Sequence, residues 1–110
     1  MVELAEKRCT PCAEGTKPLT GEALEDFRRQ VSDQWQLDDG KKLIRTLKFD
    51  DFRDALDMVN RIGNLADEQN HHPDIHLSYG KVAVELWTHK VNGLSEADFI
   101  LAAKIDRLTR

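Results

Sequence analysis

Apolar residues recur at helical spacing in three stretches of the chain, and each stretch predicts a helix. The first helix is expected over about residues 21–31, with Thr20 as its N-cap. The second begins at Asp50 or Asp51 and carries one apolar stripe, made of Phe52, Ala55, Leu56, Val59, Ile62 and Ala66. It ends before Pro73, because the residue preceding a proline is displaced from the α region.

The third helix is predicted to open at Ser95, with Asp98 three residues later as the acidic partner of a capping box. Its apolar stripe consists of Ala97, Leu101, Ile105 and Leu108. The capping role is sufficient to explain Ser95 at this position.

Apolar and polar residues alternate in four shorter runs, a pattern typical of strands with one buried face. Asp39-Gly40 separates the first two runs and Gly80-Lys81 the last two, and each dipeptide predicts a hairpin. A two-residue turn at 80–81 brings the apolar rows into coincidence and carries His72 opposite His89. The order α-β-β-α-β-β-α predicts an α+β fold, with a four-stranded antiparallel sheet and three helices packed on one face.

The length of 110 residues suits a single domain, which we expect over residues 20–110. Residues 1–19 show no period and are interpreted as a loop-like leader. No apolar run has the length of a signal sequence or of a membrane span, so we expect no membrane association and a cytoplasmic location. The net charge of −4 disfavours nucleic acid and leaves small molecules and proteins as partners.

All four histidines fall between residues 71 and 89, and their placement indicates acid–base chemistry. His71 and His72 come where the second helix ends, a position whose partial negative charge favours imidazolium. Asp67 stands four residues before His71 and shares its face if the helix persists. Together with His89 these groups offer proton donors and acceptors near neutral pH, as general acid–base catalysis requires.

Plainer readings remain open for several of these residues. His-His-Pro also fits a helix end with two polar surface residues, and His76 with Glu85 fits a pair on the solvent side. A metal site is disfavoured, because adjacent histidines point in different directions. Cys9-x-x-Cys12 fits half a zinc site, a redox pair or an inert leader, and its terminal loop context disfavours redox catalysis.

These residues resemble the signature of the pterin-4a-carbinolamine dehydratase family. The matching positions are Asp67-x-x-x-His71-His72-Pro73, Tyr79, Thr88-His89 and Gly93-Leu94-Ser95-x-x-Asp98. The resemblance extends over about residues 19–108 and includes Trp35 and the run Phe49-Asp50-Asp51-Phe52. Ile75 departs from the pattern, because many members carry an aromatic residue there, so one wall of the pterin pocket is expected to differ.

The resemblance implies dehydration of 4a-hydroxytetrahydropterin to the quinonoid dihydropterin, in the recycling of the tetrahydropterin used by aromatic amino acid hydroxylases. It implies a homodimer or homotetramer and no metal or organic cofactor. The residues that it implies for the site are His71, His72 and His89 as catalytic groups, Asp67 and Asp98 as supporting acids, and Trp35 and Tyr79 as substrate contacts.

Two other functions are compatible with the same residues. Some animal members of the family also act as dimerisation cofactors for a transcription factor, and such a binding module would work without the three histidines. Alternatively, the bound pterin serves another pathway, such as molybdopterin handling. Replacing His72 and His89 separates the enzyme from the binding module, because only turnover depends on them.

Overall fold

The structure is a computed structural model that describes residues 3–10 and 15–109. Within this described part, three α-helices and four β-strands follow in the predicted order: α1 Gly21–Arg28, β1 Gln36–Asp38, β2 Lys42–Lys48, α2 Phe52–Gln69, β3 Asp74–Ser78, β4 Lys81–Leu86 and α3 Glu96–Leu108. Single turns of 3₁₀ helix add Leu4–Glu6 and His89–Val91. Across the same residues, no helix is both long and apolar enough to span a bilayer.

The strands form one antiparallel sheet in the order β1-β2-β4-β3, with helices on one face, which confirms the predicted α+β fold. Alternate residues of the two central strands point into the core, and they are Leu43, Arg45 and Leu47 on β2 and Val82, Val84 and Leu86 on β4. This strict alternation is why the sheet has one apolar face that the helices can cover. The two central strands thus carry most of the sheet's buried surface.

Helix α2 begins as predicted, but its buried face differs from the predicted apolar stripe. Asp51 caps it as predicted, since its Oδ1 accepts a hydrogen bond of 2.8 Å from the backbone N–H of Asp54. The buried face consists of Ala55, Met58, Ile62, Ala66 and Gln69. Phe52, expected in the core, is 45% exposed. The stripe prediction was therefore wrong at Phe52, and the helix keeps a second, partly exposed apolar strip.

The register of the β3–β4 hairpin differs from the predicted one by two residues. Leu77 faces Val82, and Ile75 faces Val84, so the turn residues are Tyr79 and Gly80. A slip of two residues keeps every side chain on the same face of the sheet, which is why the apolar pattern does not detect it.

Gly80 explains the position of this turn. Its φ of +70° is a conformation that side-chain-bearing residues rarely adopt, and it is the second of the two turn residues. A Cβ at this position would lie 2.9 Å from the carbonyl oxygen of Phe49, whose N–H donates to the Gly80 carbonyl at 2.8 Å. The turn is thus fixed by a close approach to the end of β2.

The register also moves the predicted His76–Glu85 pair. His76 faces Ala83 and not Glu85, so the directly opposed pairing was wrong. The imidazole nevertheless reaches the carboxylate diagonally, with His76 Nε2 2.9 Å from Glu85 Oε2. Because 62% of the histidine side chain is exposed, this is a pair on the solvent side of the sheet.

The N-terminal segment from residue 4 onwards packs along α3. Leu4 is buried in the core, and Lys104 Nζ on α3 donates a hydrogen bond of 2.8 Å to the carbonyl oxygen of Ala5. Helix α3 has buried residues on most of its circumference, which requires cover on more than the sheet side. The 3₁₀ turn Leu4–Glu6 supplies part of that cover.

Candidate active site

The three signature histidines lie at one end of the β3–β4 hairpin. His71 and His72 follow the end of α2, where Asn70 adopts a left-handed conformation at φ 53° and turns the chain towards β3. His89 begins the 3₁₀ turn that follows β4. The start of β3 lies beside the end of β4. The antiparallel pairing therefore brings the residues before β3 and those after β4 to the same end of the sheet.

His71 is held by the carboxylate of Asp98, a residue of α3. Its Nε2 lies 2.6 Å from Asp98 Oδ1, and the carboxylate is fully buried while the imidazole is 16% exposed. An ionised carboxylate can only accept hydrogen bonds, so Nε2 carries the proton in this contact. Nδ1 is then the ring nitrogen left for proton exchange with a ligand.

The second oxygen of Asp98 serves the fold. Oδ2 accepts hydrogen bonds from the backbone N–H of Ser95 at 2.9 Å and from the hydroxyl of Thr88 at 2.7 Å, and the predicted capping box is formed. The sequence left Asp98 with two competing explanations, a cap and a site acid. The cap is confirmed, and the other oxygen contacts His71, so the helix start fixes the partner of His71, while a role of Asp98 as a site acid stays a prediction.

His72 makes a different pair on the surface. Its Nε2 lies 2.9 Å from Asp67 Oδ1, with 57% of the imidazole and 81% of the carboxylate exposed. Helical spacing had matched Asp67 with His71, on the condition that the helix persisted. The helix ends at Gln69, so Asp67 meets the next histidine instead.

His89 stacks on Trp87, with ring centroids 3.8 Å apart and an interplanar angle of 28°. Lys42 Nζ lies 5.2 Å from the centroid of the Trp87 ring. The predicted alignment of His72 directly opposite His89 is wrong, because β3 begins at Asp74 and the register differs. An exposed His89 on a tryptophan platform is nevertheless open to a ligand.

A cavity of about 160 Å³ adjoins the buried histidine. Its walls include His71, Thr88, Ala97 and, from the N-terminal segment, Cys9 and Thr10. Sequence reasoning missed Cys9 and Thr10 as neighbours of the histidines, since no spacing along the chain relates residue 9 to residue 71. Thr88 was among the signature positions, but its hydrogen bond to Asp98 could be recognised only in the folded structure.

The structure does not bring Trp35 or Tyr79 to this cavity. Trp35 is fully buried in the core, and its Nε1 donates a hydrogen bond of 2.8 Å to Asp106, which also pairs with Arg45. Tyr79 is 76% exposed in the β3–β4 turn, at the opposite end of the hairpin from the histidines. A substrate contact by either residue stays a prediction.

The thiol of Cys9 is a neutral group beside this cavity. Its pKa is raised from 9.0 to about 11, mainly by burial; the charge of Lys104 acts to lower it and that of Asp98 to raise it. Cys12 lies outside the described residues. Within residues 3–10 and 15–109, no three His, Cys, Asp or Glu side chains are grouped so as to hold a metal ion.

The fold and the site together define an α+β domain with a carboxylate-held histidine beside a small cavity, an arrangement that is chemically capable of proton transfer. The model of the family described as pterin 4 alpha carbinolamine dehydratase matches residues 17–108. The chain belongs to this family.

Similar proteins agree with this assignment. A protein of Rubrobacter xylanophilus named "Putative pterin-4-alpha-carbinolamine dehydratase" is 53% identical over 98% of this chain and 100% of its own length. One of the same name from Alkaliphilus metalliredigens is 46% identical over 97% of this chain and 96% of its own. A crystal structure of a transcriptional coactivator/pterin dehydratase from Brucella melitensis is 32% identical, with a TM-score of 0.77, over 86% of this chain and 100% of that one.

Proposed function

We propose that this protein dehydrates 4a-hydroxytetrahydropterin to the quinonoid dihydropterin by histidine acid–base catalysis, in the recycling of tetrahydropterin. The observation that carries the proposal is the 2.6 Å contact between His71 Nε2 and the buried Asp98, beside a cavity. Membership of the family supports the class of substrate.

The reaction needs two proton transfers at neighbouring atoms. The C4a–O bond breaks while a C4a=N5 double bond forms, so the leaving oxygen must gain a proton and N5 must lose one. Hydroxide is a poor leaving group, and a positioned acid that protonates it contributes about 10²- to 10⁴-fold in rate. Water is the leaving product, and no electrons are exchanged.

His71 is suited to the base in this scheme. With Nε2 donating to Asp98, the neutral ring presents the Nδ1 lone pair towards a ligand. Asp98 compensates the positive charge that the ring gains when it takes the N5 proton, as a carboxylate does behind a histidine base in hydrolases. His72 and His89, both exposed at the same end of the hairpin, are the candidates for the acid.

The test is the decay of chemically or enzymatically generated 4a-hydroxytetrahydropterin, followed by its absorbance with and without the protein. We expect acceleration that persists in the presence of a chelator. Decay at the uncatalysed rate would contradict the proposal, and loss of the acceleration with chelator would shift the mechanism to a metal site.

Copies of the chain are also proposed to associate, as a dimer or tetramer. The partly exposed apolar strip of α2, formed by Phe52, Leu56 and Val59, supports this, since such strips on surface helices commonly pack against a partner. Light scattering of the wild type and of Phe52→Lys measures the mass. A monomeric wild type would contradict the expectation.

A binding role is the second candidate, because the Brucella melitensis protein is named as a transcriptional coactivator as well as a pterin dehydratase. Such a role would not depend on the Asp98–His71 pair. If His71→Ala abolishes turnover and a partner protein is still bound, the two functions reside in different surfaces of the chain.

A further inference from the structure

The N-terminal segment contributes a wall to the cavity beside His71. Cys9 and Thr10 line this cavity together with His71 and Thr88. Thr10 and Ala97 also line a second cavity of about 230 Å³ on the other side. Thr10 and Ala97 therefore lie at the border of both cavities.

A buried glutamine at the end of α2 holds this wall. Gln69 is 6% exposed, and its Oε1 accepts a hydrogen bond of 3.0 Å from the backbone N–H of Cys9. The Cys9 thiol donates to the carbonyl oxygen of Ala97, with Sγ 3.5 Å away. A thiol with a pKa of about 11 keeps its proton at neutral pH and can make that donation.

Further contacts fix the segment to α3, the same helix that carries Asp98. Leu4 is buried in the core, and Lys104 holds the Ala5 carbonyl at 2.8 Å. Lys7 Nζ lies 3.2 Å from Glu96 at the start of that helix. The wall and the carboxylate that holds His71 are thus attached to one rigid element.

We propose that Cys9 and Thr10 form part of the pterin-binding pocket, and that Gln69 is the residue that positions them. The inference rests on the proposed function. The cavity beside His71, at about 160 Å³, is smaller than the roughly 300–1,000 Å³ typical of ligand pockets. Thr10 also lines the second cavity, so a movement of this segment would change the space open to a bicyclic ligand.

Protection of Cys9 by a bound pterin tests the wall. In a Cys12→Ser background, the rate of alkylation by iodoacetamide reports Cys9 alone, and 7,8-dihydrobiopterin serves as an unreactive probe. At pH 8 the raised pKa makes the native thiol about a hundredfold less ionised than in the unfolded chain, so alkylation is slow without probe. We expect saturating probe to slow it at least fivefold further.

Pterin fluorescence measures binding of the same probe independently and separates the two proposals. Binding without protection of Cys9 overturns this inference and leaves the proposed function intact. Absence of any pterin binding overturns the proposed function and this inference with it.

The positioning role of Gln69 is tested with three variants. Gln69→Leu removes the acceptor, and we expect KM to rise about fivefold or more while kcat stays within about twofold. Gln69→Glu retains an acceptor oxygen and is expected to restore a KM near that of the wild type. Arg107→Ala, which removes ion pairs to Glu3 and Glu6 far from the wall, is the control.

A purely structural role of Gln69 gives a different result. In that case Gln69→Leu lowers the unfolding midpoint but leaves KM unchanged, and the inference is overturned. A KM that rises equally in Arg107→Ala would overturn it as well, because loosening of the whole segment would then explain the effect.

Discussion

Two neighbouring histidines each contact an aspartate carboxylate, but one contact is buried and the other is exposed to solvent. His71 bonds a carboxylate that is wholly buried, whereas His72 bonds one that is 81% exposed. In the buried pair the carboxylate is shielded from water, so each of its hydrogen bonds fixes geometry. In the exposed pair, water competes for the hydrogen bond and both side chains keep their conformational freedom. A contact of similar length therefore contributes less to stability and fixes the geometry less.

The difference arises from the end of α2. Asn70 turns the chain in a left-handed conformation, and the two following residues leave the helix on different sides. One side faces α3, where Asp98 stands in the capping box, and the other faces solvent beside Asp67. Proximity to a carboxylate alone therefore does not fix the position of an imidazole, whereas a buried carboxylate held by three hydrogen bonds does.

Removing each imidazole in turn is expected to give the largest difference in activity between the two pairs. We expect His71→Ala to lower kcat by about 10²- to 10⁴-fold, because it removes the base that Asp98 holds. His72→Ala is expected to cost less, since His89 lies at the same end of the hairpin. Steady-state dehydration assays on both variants give the comparison, and an equal or larger loss for His72 would contradict it.

Replacing the two aspartate carboxylates by amides is expected to give the next largest difference in kcat. Asp98→Asn preserves the size of the side chain but removes the charge behind His71, so kcat is expected to fall about 10²-fold or more. Asp67→Asn acts on an exposed pair, and its effect should stay within about fivefold. Circular dichroism confirms that both variants are folded, and equal losses of kcat would show that burial does not matter.

Stability should separate the same two residues by a smaller margin. Asp98→Ala removes a helix cap and leaves buried donors unpaired, which we expect to lower the free energy of unfolding by about 2–4 kcal/mol. Asp67→Ala should lower it by less than about 1 kcal/mol. Urea titration measures both, and a small loss for Asp98 would mean that its second oxygen is not needed for the fold.

Replacing His76 is expected to have the smallest effect of these substitutions. Its pair with Glu85 resembles that of His72 in distance and in the exposure of the imidazole, but it lies on the outer face of the sheet and its carboxylate is only 23% exposed. We expect His76→Ala to change kcat by less than twofold and stability by less than about 1 kcal/mol. A larger loss of activity would extend the site onto that face.

The order and type of the elements could be predicted because each depends on local pattern. The cap at Asp51, the capping box at Ser95 and Asp98, and the alternation in β2 and β4 are all properties of short stretches. The strand register could not be predicted in the same way, because a slip of two residues preserves the alternation. Only the positive φ of Gly80 and its contact with Phe49 select the turn.

The candidate site was predictable as a set of residue types but not as a set of contacts. The spacing pointed to His71 and Asp98, which are 27 positions apart in the sequence. It did not reveal that their side chains form a hydrogen bond. It paired Asp67 with the wrong histidine, because the end of α2 at Gln69 depends on the local turn. The wall at Cys9 depends on long-range packing, which leaves no trace in a spacing pattern.

A double-mutant cycle on His71 and Asp98 determines whether the carboxylate acts through the imidazole. The measured quantity is kcat for His71→Ala, Asp98→Asn and the double variant, each checked for folding. If Asp98 acts through His71, the double variant should be no slower than the slower single variant. Losses that multiply would contradict the account, because the two residues would then contribute to the reaction independently.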